Sequence, residues 1–370
     1  MTRARMICGT LCVTLALSAC ASAGNKETTD TGRTKALHAL LDRQMPKLLA
    51  DNGVPSVSIA HIEHGKVVFV AAYGSQSPGV PATEATLYNV ASLTKPVTAQ
   101  VMLRLVSEGK VSLDEPMYTY WLDPDIARDE RAKLLTPRYS LSHQTGFPNW
   151  RRMTGGVLTF KRPPGQAFGY SGEGYEYMKR FAENKLRTPF ETLAETQVLQ
   201  PLGMTDTAYT GRPWFKGRIA VPTNAQGKVL EPEIADKAFA SDMLYTTARD
   251  YAKFMQAVLD DTGLTPAVAQ ERIRIQVREK IPKCMPIKTG CPDDEGMGLG
   301  WEVIRFGDDT YLMHDGSDEG VATLVYLSLK DRNGTVILTN SDNGKKLVLP
   351  IFDLIGSDPT LIACLRNETC

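Results

Sequence analysis

The sequence predicts an α+β fold in which one antiparallel sheet carries helices from both ends of the chain, with an all-helical lobe inserted beside it. Three observations lead there. Strand-like segments cluster in residues 55–72 and again in 301–339. The stretch between them, from residue 92 to about 280, has mainly helical apolar spacing broken by Pro- and Gly-bearing loops. Helical periodicity flanks both strand clusters on the terminal side. The expected division is a sheet lobe over about 34–90 and 296–370 and a helical lobe over about 91–295.

In chain order, Leu37, Leu40, Leu41, Met45, Leu48 and Leu49 recur at helical spacing over residues 35–49, and Asn52-Gly53 stops that helix. Val57, Ile59 and Ile62, a His64-Gly65 turn and the apolar run 67–70 predict a β-hairpin. Near the far end, strands are expected at 301–305, 311–313, 323–329 and 335–339, with turns at Gly307-Asp308-Asp309 and Asn333-Gly334. A Leu- and Ile-rich helix follows over about 345–355. No internal repeat and no nucleotide-binding glycine loop is present.

The 370 residues are 42% hydrophobic and 23% charged with zero formal charge, an ordinary globular balance that gives no reason to expect a nucleic-acid partner. The first nineteen residues read as a targeting segment: Arg3 and Arg5, then an apolar run too short to span a membrane comfortably. The run ends in Leu17-Ser18-Ala19-Cys20, which resembles a bacterial lipobox. That resemblance implies a diacylglycerol on the Cys20 thiol and cleavage before it, with several acyl chains as a stable membrane anchor. The alternative is a plain signal peptide cut near Ala21 or Ala23. Ala21 stands where an inner-membrane retention signal would place Asp, so an outer-membrane position facing the periplasm is expected. Loss of Arg3 and Arg5 with this segment leaves 40 basic against 42 acidic residues. Residues 20–33 are small and polar and read as a flexible tether. Four further cysteines, Cys284, Cys291, Cys364 and Cys370, suggest disulfides in an oxidising compartment. Four cysteines allow three connectivities, of which Cys284–Cys291 with Cys364–Cys370 is favoured because each closes a short loop, and neither spacing matches a zinc knuckle.

The chemistry-bearing motif is Ser92-Leu93-Thr94-Lys95. Extended-looking residues precede it, and Val97, Val101 and Leu105 form one helical stripe after it, so Ser92 is expected as a helix cap with Pro96 inside the first turn. A spacing of three puts hydroxyl and amine on one face. A serine hydroxyl needs an adjacent base, and a desolvated lysine can become one. Alone the motif is weak: about one S-x-x-K is expected by chance at this length. It recurs at Ser107 and Lys110, where Gly109 reads as a helix stop and the pair as structural.

Two later stretches strengthen the reading: Pro163-Pro164-Gly165-Gln166-Ala167-Phe168-Gly169-Tyr170-Ser171-Gly172, and His314-Asp315-Gly316-Ser317 beside strands, with Gly298-Leu299-Gly300-Trp301 before it. In order and spacing these resemble the penicillin-recognising serine hydrolases, a group holding class C β-lactamases, D-alanyl-D-alanine carboxypeptidases and family VIII-type esterases. Their motifs are S-x-x-K, Y-x-N and K/H-x-G. Leu141-Ser142-His143-Gln144-Thr145-Gly146, Pro201-Leu202-Gly203-Met204 and Met243-Leu244-Tyr245-Thr246-Thr247-Ala248-Arg249-Asp250 also look like that family, so the likeness runs from about residue 38 to 355.

The resemblance implies a β-lactamase/transpeptidase-like fold and an acyl-enzyme on Ser92. Lys95 and Tyr170 share the proton as a coupled set, and His314 faces the leaving group or a substrate carboxylate. The backbone N–H groups of Ser92 and Ser317 form the oxyanion hole, and Gly316 and Gly172 border the substrate. Gly172 stands where the family commonly has Asn, and His314 where β-lactamases typically carry Lys. Both departures favour an esterase or D-amino-acid peptidase over a lactamase. A carboxypeptidase or β-lactamase, or a non-catalytic binder of cell-wall peptides, are the alternatives. The expected partners are a small-molecule or peptide acyl substrate and the membrane, with no metal or organic cofactor.

Other candidates fare less well. Lys288-Thr289-Gly290 imitates the third motif but precedes Gly298, where the family places its motif after that segment. Gly169-Tyr170-Ser171-Gly172-Glu173 fails the G-x-S-x-G elbow at its last position. His61 and His64, three apart on a strand, face opposite sides. His143 reads as structural, and His38 has no evident partner.

Overall fold

The structure, a computed structural model, describes the backbone of residues 21–278 and 291–368 and the side chains of 32–278 and 291–366. The targeting segment, Cys20, Cys284, Cys370 and Lys288-Thr289-Gly290 lie outside the described residues, and so therefore do both proposed cysteine pairings.

Helix α1 (Ala21–Asn52) leads into the hairpin β1 (Ser56–Glu63) and β2 (Lys66–Ser77), followed by short strands β3 (Val80–Pro81) and β4 (Tyr88–Asn89). The helical part holds α2 (Thr94–Ser107), α3 (Pro137–Leu141), α4 (Gly172–Leu186), α5 (Phe190–Ala194), the short strand β5 (Tyr245–Thr246), α6 (Ala248–Leu259) and α7 (Pro266–Ile273). Strands β6 (Asp294–Met297), β7 (Glu302–Phe306), β8 (Asp309–Asp318), β9 (Val321–Ser328) and β10 (Asn333–Thr339) complete the sheet before α8 (Val348–Ile355) and α9 (Pro359–Glu368). The eight-stranded sheet runs β3-β2-β1-β10-β9-β8-β7-β6, entirely antiparallel. The pairing of β1 with β10, Ile59 opposite Ile337, joins the two ends of the chain.

Period-two alternation sorts the sheet's side chains onto two faces. Ile59, Tyr326 and Ile337 meet Leu41, Met45 and Leu49 of α1 and Ile351 and Phe352 of α8. Ala60, Val325, Val336 and Leu338 meet the helical part, including Val97, Val101 and Phe254, and Trp301 of the β6–β7 connection. Among the described residues no helix is long and apolar enough to cross a membrane.

Several expectations need correction. Residues 21–33, read as a flexible tether, continue α1. Helix nucleation is the costly step, the packed leucines after residue 36 supply it, and each further residue adds a hydrogen bond with no proline to stop it. Asn333-Gly334 is strand rather than turn: Gly334 pairs with Leu327, and a Cβ there would come 2.6 Å from the Tyr326 carbonyl, so the glycine serves close approach. The reversal falls just before, at Arg332, whose φ is 56°. Strand β6 and helix α9 were not anticipated, since Asp-Glu-Gly-Met carries no β-branched residue and α9 is short.

The reading of Ser107 and Lys110 as structural holds, whereas His64 leaves the strand that carries His61 and His38 has a ring partner. Ser107 Oγ accepts the Thr265 N–H and Lys110 pairs with Glu108. His61 bonds Thr335 through Nδ1 while His64 occupies the β1–β2 turn at φ 49°. His38 packs on the Phe69 ring at 4.4 Å.

Candidate functional site

Ser92 lies in a single 3₁₀ turn, Ala91–Leu93, that runs directly into α2. It is not the capping residue expected: no side-chain cap bond is made at the start of either helix. Its hydroxyl instead meets Lys95, whose Nζ donates to Ser92 Oγ at 2.8 Å and to the Ser241 carbonyl at 2.8 Å. The preceding Ala91 holds φ at 45°, a left-handed conformation that a non-glycine residue adopts only when its surroundings enforce it. Here Asn89 Oδ1 accepts the Ala91 N–H at 2.8 Å.

Lys95 is wholly buried and forms no ion pair among the described residues. Its ammonium sits 4.8 Å from the Tyr170 ring centroid and 5.9 Å from that of Tyr175, so two aromatic faces and a carbonyl stand in for a counter-ion. The Ser241 carbonyl is itself fixed, because Ser241 donates through both N–H and Oγ to Glu176 on α4.

Tyr170 is placed by its neighbour Ser171 and by an imidazole packed behind its ring. Ser171 caps α4 by accepting the Gly174 N–H at 3.0 Å and donates to the Pro148 carbonyl. His143 accepts the Ser171 N–H on Nδ1 at 3.0 Å and stacks on Tyr170 with ring centroids 4.3 Å apart. Burial, with the Lys95 charge, holds the His143 imidazole neutral, its pKa well below the usual value. His143 therefore positions the tyrosine, in line with its structural reading.

His314 lies on β8 itself, which extends further than the sequence suggested because β9 pairs with it out to Val321. Its Nδ1 donates to the Asp315 carbonyl at 2.6 Å, and its ring centroid is 6.4 Å from that of Tyr170. Burial, then Lys95, push its pKa down from 6.5 to about 4, so the ring is neutral at physiological pH. The unfolded chain then binds a proton that the folded one refuses. Stability contributed by this site is present above pH 6.5 and is lost as pH falls towards 4. Asp242, raised to about 6, acts in the opposite sense over part of that window, so the useful readout is a difference between proteins. In His314→Gln the pH dependence of unfolding free energy between those limits is expected to flatten by on the order of 3 kcal/mol. Urea unfolding at both pH values checks this, and equal slopes in the two proteins would count against it.

Gly316 is a position where only glycine fits. An added Cβ would stand 2.3 Å from Thr323 Oγ1, 2.5 Å from the Val90 carbonyl and 3.1 Å from the Ser92 nitrogen. The β8 backbone thus lies directly against the Ser92 turn, and Ser317 follows on the cleft side. Gly172 is buried at the start of α4, where its N–H donates to Asn149 Oδ1 at 2.8 Å. A Cβ on it would meet the Trp150 ring at 2.7 Å. Trp150 and Asn149, not Gly172, border the open space.

That space is a cleft of about 1040 Å³ lined by Ser92, Lys95, Tyr170 and Ser317 on the reactive side. Asn89, Asn149, Trp150 and Asp242 also line it, and sequence reasoning missed all four. Two had a nearby cue: Asp242 directly precedes the family-like segment that begins at Met243, and Asn89 stands three residues before Ser92. Cys364 is buried on α9, far in sequence from these residues.

Comparison with known proteins agrees with this architecture. Residues 41–355 match the family described as Beta-lactamase. Protein flp of Staphylococcus aureus strain COL is 22% identical over 310 residues, 78% of this chain and 60% of that protein's length. The D-alanyl-D-alanine-carboxypeptidase/endopeptidase AmpH of Escherichia coli K12 is 22% identical over 328 residues, covering 82% of this chain and 84% of its own. Among solved structures, the octameric penicillin-binding protein homologue from Pyrococcus abyssi superposes with a TM-score of 0.71 at 20% identity, over 86% of this chain and 77% of that one. D-alanine carboxypeptidase AmpC from Burkholderia cenocepacia gives 0.68 at 20% identity, over 87% and 99%.

Proposed function

Since the chain belongs to the Beta-lactamase family, we propose that it is a serine hydrolase cleaving an ester or amide bond through an acyl-Ser92 intermediate. The observation that carries this is the 2.8 Å contact from a fully buried Lys95 Nζ to Ser92 Oγ, under the Tyr170 ring. Ser92 Oγ attacks the carbonyl carbon while its proton passes to the Lys95–Tyr170 pair. The bond to the leaving group breaks, that group takes the proton, and water then releases the acid from Ser92 by the same steps. Lys95 and Tyr170 act as one coupled proton carrier. The backbone N–H groups of Ser92 and Ser317 hold the carbonyl oxygen as it gains charge.

An esterase or D-amino-acid peptidase fits better than a lactamase. His314 offers no positive charge at neutral pH for a lactam carboxylate, and Trp150 covers the position where the second motif's asparagine would project. A D-alanyl-D-alanine peptide is the second reading, supported by the name of the Escherichia coli relative. The test is intact mass after a fluorophosphonate and, separately, a penicillin. One fluorophosphonate adduct is expected on Ser92, and its absence would leave only a peptide-binding role.

The protein is further proposed to be anchored by a lipid on Cys20 at the outer membrane, facing the periplasm. Labelled palmitate is expected to be incorporated by the full chain in bacteria and lost in Cys20→Ser. No labelling of either protein would favour cleavage as a plain signal peptide, and equal labelling of both would place the lipid elsewhere than Cys20.

A further inference from the structure

The cleft around Ser92 is acidic. Glu231, Glu233, Asp242, Asp315, Asp318 and Glu319 line it, against the cations Lys95 and Arg152. Lys95 is engaged with Ser92 and Ser241, and Arg152 lies 5.5 Å from the Trp150 ring centroid. Asp315 meets Lys345 at 3.6 Å. Among the described residues, Glu231, Glu233, Asp318 and Glu319 make no ion pair.

Asp242 differs from the rest of this group. It is only 8% exposed, yet it borders the same cavity as Ser92. Its Oδ1 accepts the Met243 N–H at 2.9 Å, and no hydrogen bond to Oδ2 is made among the described residues. A carboxylate this deeply buried is ordinarily paired or fully hydrogen-bonded. Burial pushes its pKa up to about 6 against the lowering effect of Lys95, so it is still ionised at neutral pH. It is a largely buried carboxylate whose Oδ2 has no hydrogen-bond partner among the described residues, in the cleft that Ser92 also lines.

We propose that the substrate carries a protonated primary amine close to its scissile carbonyl, received by Asp242 and drawn in by the acidic rim. This rests on the acyl-Ser92 reading and narrows its substrate class to amino-acyl esters or amides with a free amino group. An ammonium supplies three donors, enough to bond Asp242 Oδ2 and still reach neighbouring acceptors, and such charge-assisted bonds are the strong ones. The same wall repels acyl groups bearing carboxylates, which supplies discrimination as well as attraction.

The test compares D- and L-alanine methyl esters with methyl propionate, which lacks only the amino group. Hydrolysis is followed by pH-stat at pH 7, where the amine is protonated. The full chain is expected to favour one alanine ester by about thirtyfold in kcat/KM, the range of a hydrogen bond to a charged group. That ratio is expected to fall towards one in Asp242→Asn, and to shrink with added salt in the wild type as the rim is screened. A wild-type ratio near one overturns the proposal, as does a ratio indifferent to both the substitution and salt. Should Asp242→Asn fail to fold, the salt series on the wild type decides alone. A fluorophosphonate adduct measured on the same sample separates the two levels. If Ser92 is labelled but no amine preference exists, only this inference falls; with no adduct, the hydrolase reading falls with it.

Discussion

Ser92→Ala is expected to lower kcat for any hydrolysed ester by about 10⁴-fold or more and to abolish the fluorophosphonate adduct. Where a serine carries the covalent step, its removal leaves only the catalysis that binding and oxyanion contacts provide. The substitution is a mild one structurally. Ser92 is half-buried, and its hydroxyl is the acceptor of one bond, from Lys95, which keeps the Ser241 carbonyl as a second acceptor. Thermal unfolding should therefore shift little while turnover collapses. Residual activity within tenfold of the wild type would remove Ser92 from the chemistry and leave the Lys95 contact as a packing feature.

Lys95→Met is expected to lower kcat by about 10³-fold, since it removes one half of the proton-carrying pair while leaving the nucleophile in place. Its stability effect should run the other way. Lys95 is buried without a carboxylate partner, between Tyr170, Tyr175 and two oxygen acceptors. Methionine has similar reach and no charge to desolvate, and replacing buried charge by apolar volume is often neutral or stabilising. An unchanged or raised melting temperature together with lost turnover is the signature of a charge retained for catalysis. Lost stability together with retained turnover would instead make Lys95 structural and leave Tyr170 as the base.

The parts of the site that were legible were those in which local sequence carries the chemistry. Ser92 and Lys95 are three residues apart, and a helical turn alone brings them together. The β1–β2 hairpin and the apolar stripe of α1 follow from periodicities that need no partner to be recognised. Tyr170 and His314 were found through motif order, but the contacts that hold them were not visible. The His143 ring behind Tyr170 comes from 27 positions earlier in the chain, and it reads locally as an ordinary loop histidine.

Asn149, Trp150 and Asp242 were missed for one shared reason: each belongs to an irregular segment whose direction is set by the elements around it. Trp150 shelters Gly172 only because Asn149 bonds the first N–H of α4. Asp242 faces the cleft because Ser241 is held by Glu176 and Lys95, and because Met243 turns the chain at a φ of 66°.

By itself the sequence determined the α+β class, the pairing of Ser92 with Lys95, and the positions of the two further motifs. These depend on short-range spacing and on alternation along single elements. Only the tertiary structure decided that β8 carries His314 and Gly316 against the Ser92 turn, and that the cleft is acidic. Those features arise from residues as distant as Val90 and Thr323, where the Thr323 hydroxyl donates to the Val90 carbonyl at 2.9 Å. Burial, charge and close approach between distant segments are properties of the packed sheet and helices, and no local pattern encodes them.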